Sequence, residues 1–119
     1  MNKPAASARS GVLSLNINSK SALYAAYMPF LKNGGIFIPT TRDYQLGDEV
    51  FMLLQLMDDP AKHAVAGKVV WITPHGVQGG KTQGAGVHFS DDDASKLLRG
   101  RIETILAGHL GSNRPTHTL

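Results

Sequence analysis

Five histidines, His63, His75, His88, His109 and His117, are the side chains of this chain best suited to bind a transition metal or relay a proton. They are scattered, with no paired helical spacing and no cysteine to add thiolate ligands, so no metal centre is predicted. The acidic run Asp91-Asp92-Asp93 lacks the spacing of a calcium loop and opens an amphipathic stretch, where carboxylates complement a helix dipole. Gly80-Lys81-Thr82 is similar to the end of a phosphate-binding loop. The first glycine of such a loop would fall at His75, however, and the residues after Thr82 lead into a strand where a helix is required. Serine, histidine and aspartate all occur, yet no Gly-x-Ser-x-Gly elbow frames a nucleophile. The chain reads as a binding module without catalytic activity or cofactor.

Composition narrows the binding class. With 119 residues and 42% hydrophobic content, one compact domain can bury its own core. The net charge of +3 is spread over Lys20, Lys32, Arg42, Lys62, Lys68, Lys81, Lys96, Arg99 and Arg101, without the interleaved aromatics of a single-strand stacking surface. Nucleic acid is therefore not an expected partner. Residues 1–10 carry Lys3 and Arg9 but no continuous apolar signal segment follows, and no stretch is long and apolar enough to span a bilayer, which predicts a cytoplasmic protein with no membrane insertion.

The elements that must position any binding surface follow from periodicity. Residues 1–10 are expected to be a flexible N-terminus. From Gly11 to Asn18, Leu13, Leu15 and Ile17 alternate with polar residues as in a half-buried strand. Ser19 to Met28 shifts to helical spacing, with Ser19 or Ser21 as cap and Pro29 as stop. Gly34-Gly35 permits a tight turn into the short strand Ile36-Phe37-Ile38. Glu49 to Met57 is almost continuously apolar and reads as a central strand. His63 to Thr73 returns as a long strand with Val65, Val69 and Trp71 on one face and a bulge at Gly67. Pro74 to Gly86 is glycine-rich, and Ala85 to Phe89 is the last strand. Ser90 and Asp93 form a capping pattern for a helix in which Ala94, Leu97, Leu98, Ile102, Ile105 and Leu106 recur at helical spacing before Gly108. The expected architecture is mainly β: a small antiparallel β-barrel with a C-terminal helix over residues 11–108. A flexible tail, residues 109–119, has no core to join.

At Gly34-Gly35-Ile36-Phe37, Val69-Val70-Trp71 and Gly84-Ala85-Gly86-Val87-His88-Phe89, the order and spacing resemble the PilZ domain family, over about Gly11 to Ala107. Ala22-Leu23-Tyr24-Ala25-Ala26-Tyr27-Met28-Pro29-Phe30, Leu46-Gly47-Asp48-Glu49-Val50-Phe51 and Ile102-Glu103-Thr104-Ile105-Leu106-Ala107-Gly108 look like the pilus-associated members. The resemblance implies a small β-barrel and a place in cyclic di-GMP signalling. Members that hold the nucleotide use an Arg-x-x-x-Arg pair and an Asp/Asn-x-Ser-x-x-Gly turn. Aligned on Gly35, that turn carries Phe30 in place of the carboxylate or amide and Lys32 in place of the serine. Phenylalanine offers a guanine edge no hydrogen bond, and lysine has no acceptor. The upstream pair is missing too, since Arg9 is followed four positions later by Leu13.

The resemblance therefore implies a monomeric adaptor with two partners, a cyclic-di-GMP-binding regulator with degenerate GGDEF and EAL domains and the ATPase that drives pilus extension. The alternative is a direct cyclic di-GMP receptor using atypical donors such as Arg9, Lys32 and Arg42. For partner contact the expected residues are Tyr24, Tyr27, Met28, Phe30, Trp71 and Leu119. Tyr24, Tyr27, Met28 and Phe30 place more large side chains in a short connector than it ordinarily buries. Tyr24 is expected to be at least partly exposed, and Trp71 to lean toward the core.

Overall fold

The computed structural model describes residues 12–76, 81–110 and 114–119. The expected flexible N-terminus, Arg9 and Gly80 lie outside the described residues. The elements run β1 (Val12–Ile17), α1 (Lys20–Ala26), β2 (Gly35–Pro39), β3 (Glu49–Leu56), β4 (Lys62–Thr73), β5 (Gly84–Phe89) and α2 (Asp93–Ile105). The strands form one curled five-stranded sheet in the order β1-β3-β4-β5-β2, a half-barrel closed by the C-terminal helix, and the mainly β architecture is as predicted. No helix among the described residues is long and apolar enough to cross a membrane.

One pairing departs from expectation. β3, β4 and β5 pair antiparallel in succession, and β2 adds antiparallel to β5, but β1 lies parallel to β3, with Leu13 opposite Met52 and Leu15 opposite Leu54. Parallel neighbours need a crossover, and α1 with β2 supplies one before the chain returns as β3. The alternation of β1 puts Leu13, Leu15 and Ile17 on the same face as Val50, Met52, Leu54 and Leu56 of β3, all four of which are buried. Val65, Val69, Val87, Phe89 and Ile36 continue that inner face around the sheet.

Helix α2 packs along β4 and completes the core with Leu98, Ile102 and Leu106, each fully buried. Leu97, expected on that stripe, is instead exposed, as is Ala94, because the buried row follows the 98, 102, 106 ridge. The cap is also two positions from prediction. Asp92, not Ser90, caps the helix by accepting from the Ser95 amide at 2.8 Å, while the Ser90 amide is spent on the Ala66 carbonyl as β5 ends. Gly108 turns left-handed after the last helical residues, with φ +86°.

The bulge in β4 lies at Val70, between Val69 and Trp71, and not at Gly67. Gly67 sits in regular pairing, where the His88 carbonyl oxygen of β5 leaves no room for a Cβ. The extra residue has a consequence for faces. Val69 stands opposite Val87 on the inner side, whereas Trp71 stands opposite Gly86 and so joins the reverse side of the sheet. The expectation that Val65, Val69 and Trp71 share a face is thereby corrected.

Candidate functional site

The turn from Phe30 to Gly35 is where a nucleotide-holding relative of this sequence would place its polar grips. Here several of its amides and carbonyls are bonded by the chain's own groups. Gly34 takes a left-handed backbone, φ +77°, and its amide donates to the Leu31 carbonyl at 3.0 Å. The Met28 amide donates to the Gly35 carbonyl at 2.9 Å, and the Phe89 amide to the Gly34 carbonyl at 3.0 Å. Asn33 donates its amide proton to His88 Nε2 and its side-chain NH2 to the Phe89 carbonyl, each at 3.2 Å. These bonds tie the turn to the end of β5.

The second tie comes from α2. Arg99 donates through Nη1 to the Lys32 carbonyl at 2.8 Å and through Nε to Glu103 Oε2 at 3.2 Å. The buried Tyr27 phenol donates to the same Glu103 oxygen at 2.6 Å. A Cβ on Gly34 would lie 3.3 Å from both Arg99 Cδ and the Tyr27 hydroxyl, so these side chains pack directly on the turn. Electrostatics follow the geometry. The Tyr27 hydrogen bond, aided by Arg99 and opposed by burial, holds the Glu103 carboxyl below its usual range. Burial first, then the Glu103 carboxylate, pushes the Tyr27 phenol above its own.

The PilZ domain family model matches residues 10–108 of this sequence. The chain belongs to the PilZ family. No curated protein matches it. PilZ domains are generally non-catalytic modules that bind cyclic di-GMP or act as adaptors, and nothing in the family match indicates an enzyme. In this PilZ domain Phe30 and Lys32 are both exposed on the turn, and Gly35 is buried with Val87 oxygen only 2.5 Å from where a Cβ would stand. Arg42, the other described cation of the atypical-receptor alternative, lies past the far end of β2 from Lys32. It lines a cleft of about 360 Å³ with Tyr44, Ile72 and His75. The fold does not bring the two cations onto one turn. Among the described residues no group of three histidine or acidic side chains gathers to hold a metal.

The residues expected to contact partners divide by burial. Phe30 and Leu119 are exposed, and Trp71 is half-buried. Tyr27 and Met28 are buried, and the expected exposure of Tyr24 is wrong, since only 7% of it is accessible. The reason is the C-terminal tail, which joins the core where the sequence offered it none. Arg114 stacks its guanidinium 5.0 Å from the Tyr24 ring centroid, and the Tyr24 hydroxyl donates to the Arg114 carbonyl at 3.3 Å. The His117 amide donates to the Ala25 carbonyl at 2.9 Å, and its imidazole stacks on Phe37 with centroids 4.7 Å apart. Lys81 donates to the Thr116 carbonyl at 2.9 Å.

Phe37 belongs to a cluster on the reverse face of the sheet. Phe37 and Trp71 flank Gly86 from its two neighbouring strands, and a Cβ on Gly86 would lie 2.8 Å from Met28 Sδ and from Trp71 Cβ. Trp71 donates its indole proton to Thr73 Oγ1 at 2.9 Å. β2 and β5 are therefore covered on both sides, which explains their nearly unbroken burial.

Asn33, Arg99, Glu103, Arg114 and His117 shape this site and were not singled out as site residues by sequence reasoning. The i, i+4 spacing of Arg99 and Glu103 was a visible signal of pairing, but not of the turn they hold. His117 supplies a pH dependence. Burial, reinforced by nearby Lys81, lowers its imidazole below the ordinary value of about 6.5. The docked tail thus favours the neutral ring. Docking is at full strength above that ordinary value and weakens as pH falls through the window below it. NMR titration of the His117 ring, with hydrogen exchange at its amide, checks this; tail contacts that strengthen on acidification would contradict it.

Proposed function

We propose that this PilZ domain is a non-catalytic cytoplasmic adaptor in type IV pilus biogenesis and twitching motility. It links a cyclic-di-GMP-binding regulator with degenerate GGDEF and EAL domains to the pilus extension ATPase, and works as a monomer that does not itself hold the nucleotide. The observation that carries the reading is the Phe30 to Gly35 turn. Its aligned positions bear Phe30 and Lys32, the Lys32 carbonyl already accepts from Arg99, and Asn33 donates to His88 and Phe89 of β5. A ligand carrying phosphates and guanines needs bidentate cations and edge acceptors, and this turn supplies neither. With that pocket stripped of its grips, protein surfaces remain as the means of coupling to the messenger. Exposed Phe30, half-buried Trp71 and exposed Leu119 are the partner contacts this reading assigns, with Tyr24 beneath the tail.

Calorimetric titration of the domain with cyclic di-GMP is expected to give no saturable heat. Saturable binding in the micromolar range would overturn the adaptor reading in favour of a direct receptor. Affinity capture of the ATPase and the regulator from cell extract, with wild-type protein and a Phe30→Ala variant, then tests the partners.

A further inference from the structure

We propose that the groove formed by Tyr24, Ala25 and Phe37 is a docking site for an extended protein segment, and that residues 114–119 are its resident occupant, displaced when such a segment binds. The contacts of the resident define what the site accepts. It takes a main-chain N–H at the Ala25 carbonyl, a planar side chain on Phe37, and a main-chain carbonyl at the Tyr24 hydroxyl. The incoming segment is accordingly extended, carries an aromatic or imidazole side chain at the position of His117, and brings a cation to the Tyr24 ring in place of Arg114.

Three observations make the resident exchangeable. Its Thr118 hydroxyl is buried with no hydrogen-bond partner, which weakens the docked state. Its polar ties through Lys81 and from Arg114 to Ser21 are at exposed positions, where water competes. It leaves Leu119 exposed, so its one large aliphatic side chain contributes little to holding it down. The groove beneath is built into the fold. Tyr24 lies on α1, whose N-cap Ser19 accepts from Ala22, and Phe37 is packed over Gly84 and paired opposite Gly86.

The segment acts on this site by competition, so the test uses the resident itself in trans. A synthetic peptide of residues 114–119 is titrated into isotope-labelled full-length protein, wild type and the double variant Arg114→Ala, His117→Ala, while the Ala25 and Phe37 amide resonances are followed. Cooperative thermal unfolding is the control that the variant is folded. The variant is expected to show saturable shifts at these two residues at peptide concentrations about tenfold below those needed for wild type, since its own tail competes less. Equal response in both proteins, or no response in the variant, overturns the proposal. The readout is independent of cyclic di-GMP and of any pilus component, so its failure leaves the adaptor reading standing on its own titration.

Discussion

Gly35→Ala is expected to destabilise the domain by about 3 kcal/mol, at the upper end of the usual cost of overpacking. The added methyl would sit 2.5 Å from the Val87 carbonyl oxygen and 2.7 Å from Leu31 Cδ1. Leu31 can rotate, but the carbonyl belongs to β5, which is paired on both sides, and cannot withdraw without breaking the ladder. Urea denaturation measures the loss; a variant within about 0.5 kcal/mol of wild type would show that the strand yields. The result also bears on function. A glycine that a nucleotide-binding relative would keep beside its ligand is required here by the backbone alone, whether or not any ligand is held.

Tyr27→Ala is expected to cost about 3–5 kcal/mol, the range for deleting a buried aromatic ring. The ring is 1% exposed, its strand bridge to Ile36 joins α1 to the sheet, and its hydroxyl ends on Glu103. Tyr27→Phe keeps the ring and removes only the hydrogen bond. Its cost should be about 1 kcal/mol, because Glu103 is partly exposed and water can replace the phenol. The conservative variant carries a second signature. In wild type the Tyr27 bond is the main cause of the lowered Glu103 carboxyl, so this group adds stability above the ordinary carboxylate range that is lost as pH falls through its lower folded value. Tyr27→Phe should flatten the acid limb of the stability curve. An unchanged acid limb would remove Glu103 from the account.

Much of this arrangement is local and could be read from residue order. The alternation of Leu13, Leu15 and Ile17 and the 98, 102, 106 row of α2 encode their elements by period, and the apolar run from Val50 to Leu56 encodes a strand by its continuity. The structure has all three elements, but β3 is not buried on both faces as expected, since its residues alternate and Phe51 is exposed. What period cannot encode is which strand lies beside which. The parallel pairing of β1 depends on β2 going to the far edge of the sheet, and the face of Trp71 depends on one unpaired residue in β4. The tail was illegible for a related reason. Arg-Pro-Thr-His-Thr-Leu has no period, and its value lies in matching a ring at Tyr24, a carbonyl at Ala25 and a ring at Phe37, none of them near it in sequence. The degenerate turn was legible as an alignment of Phe30 and Lys32. Its clamp by Arg99 was not, because that contact spans 67 residues.

The bulge at Val70 decides which side of the sheet carries the indole. If Val70 entered the ladder opposite Gly86, Trp71 would move one pair along to stand opposite Ala85, and its ring would turn toward the barrel interior, away from Met28 and Phe37. Deleting Val70 would close the bulge and leave Trp71 opposite Gly86. The reverse-face surface therefore survives loss of that residue but not its incorporation into a regular strand.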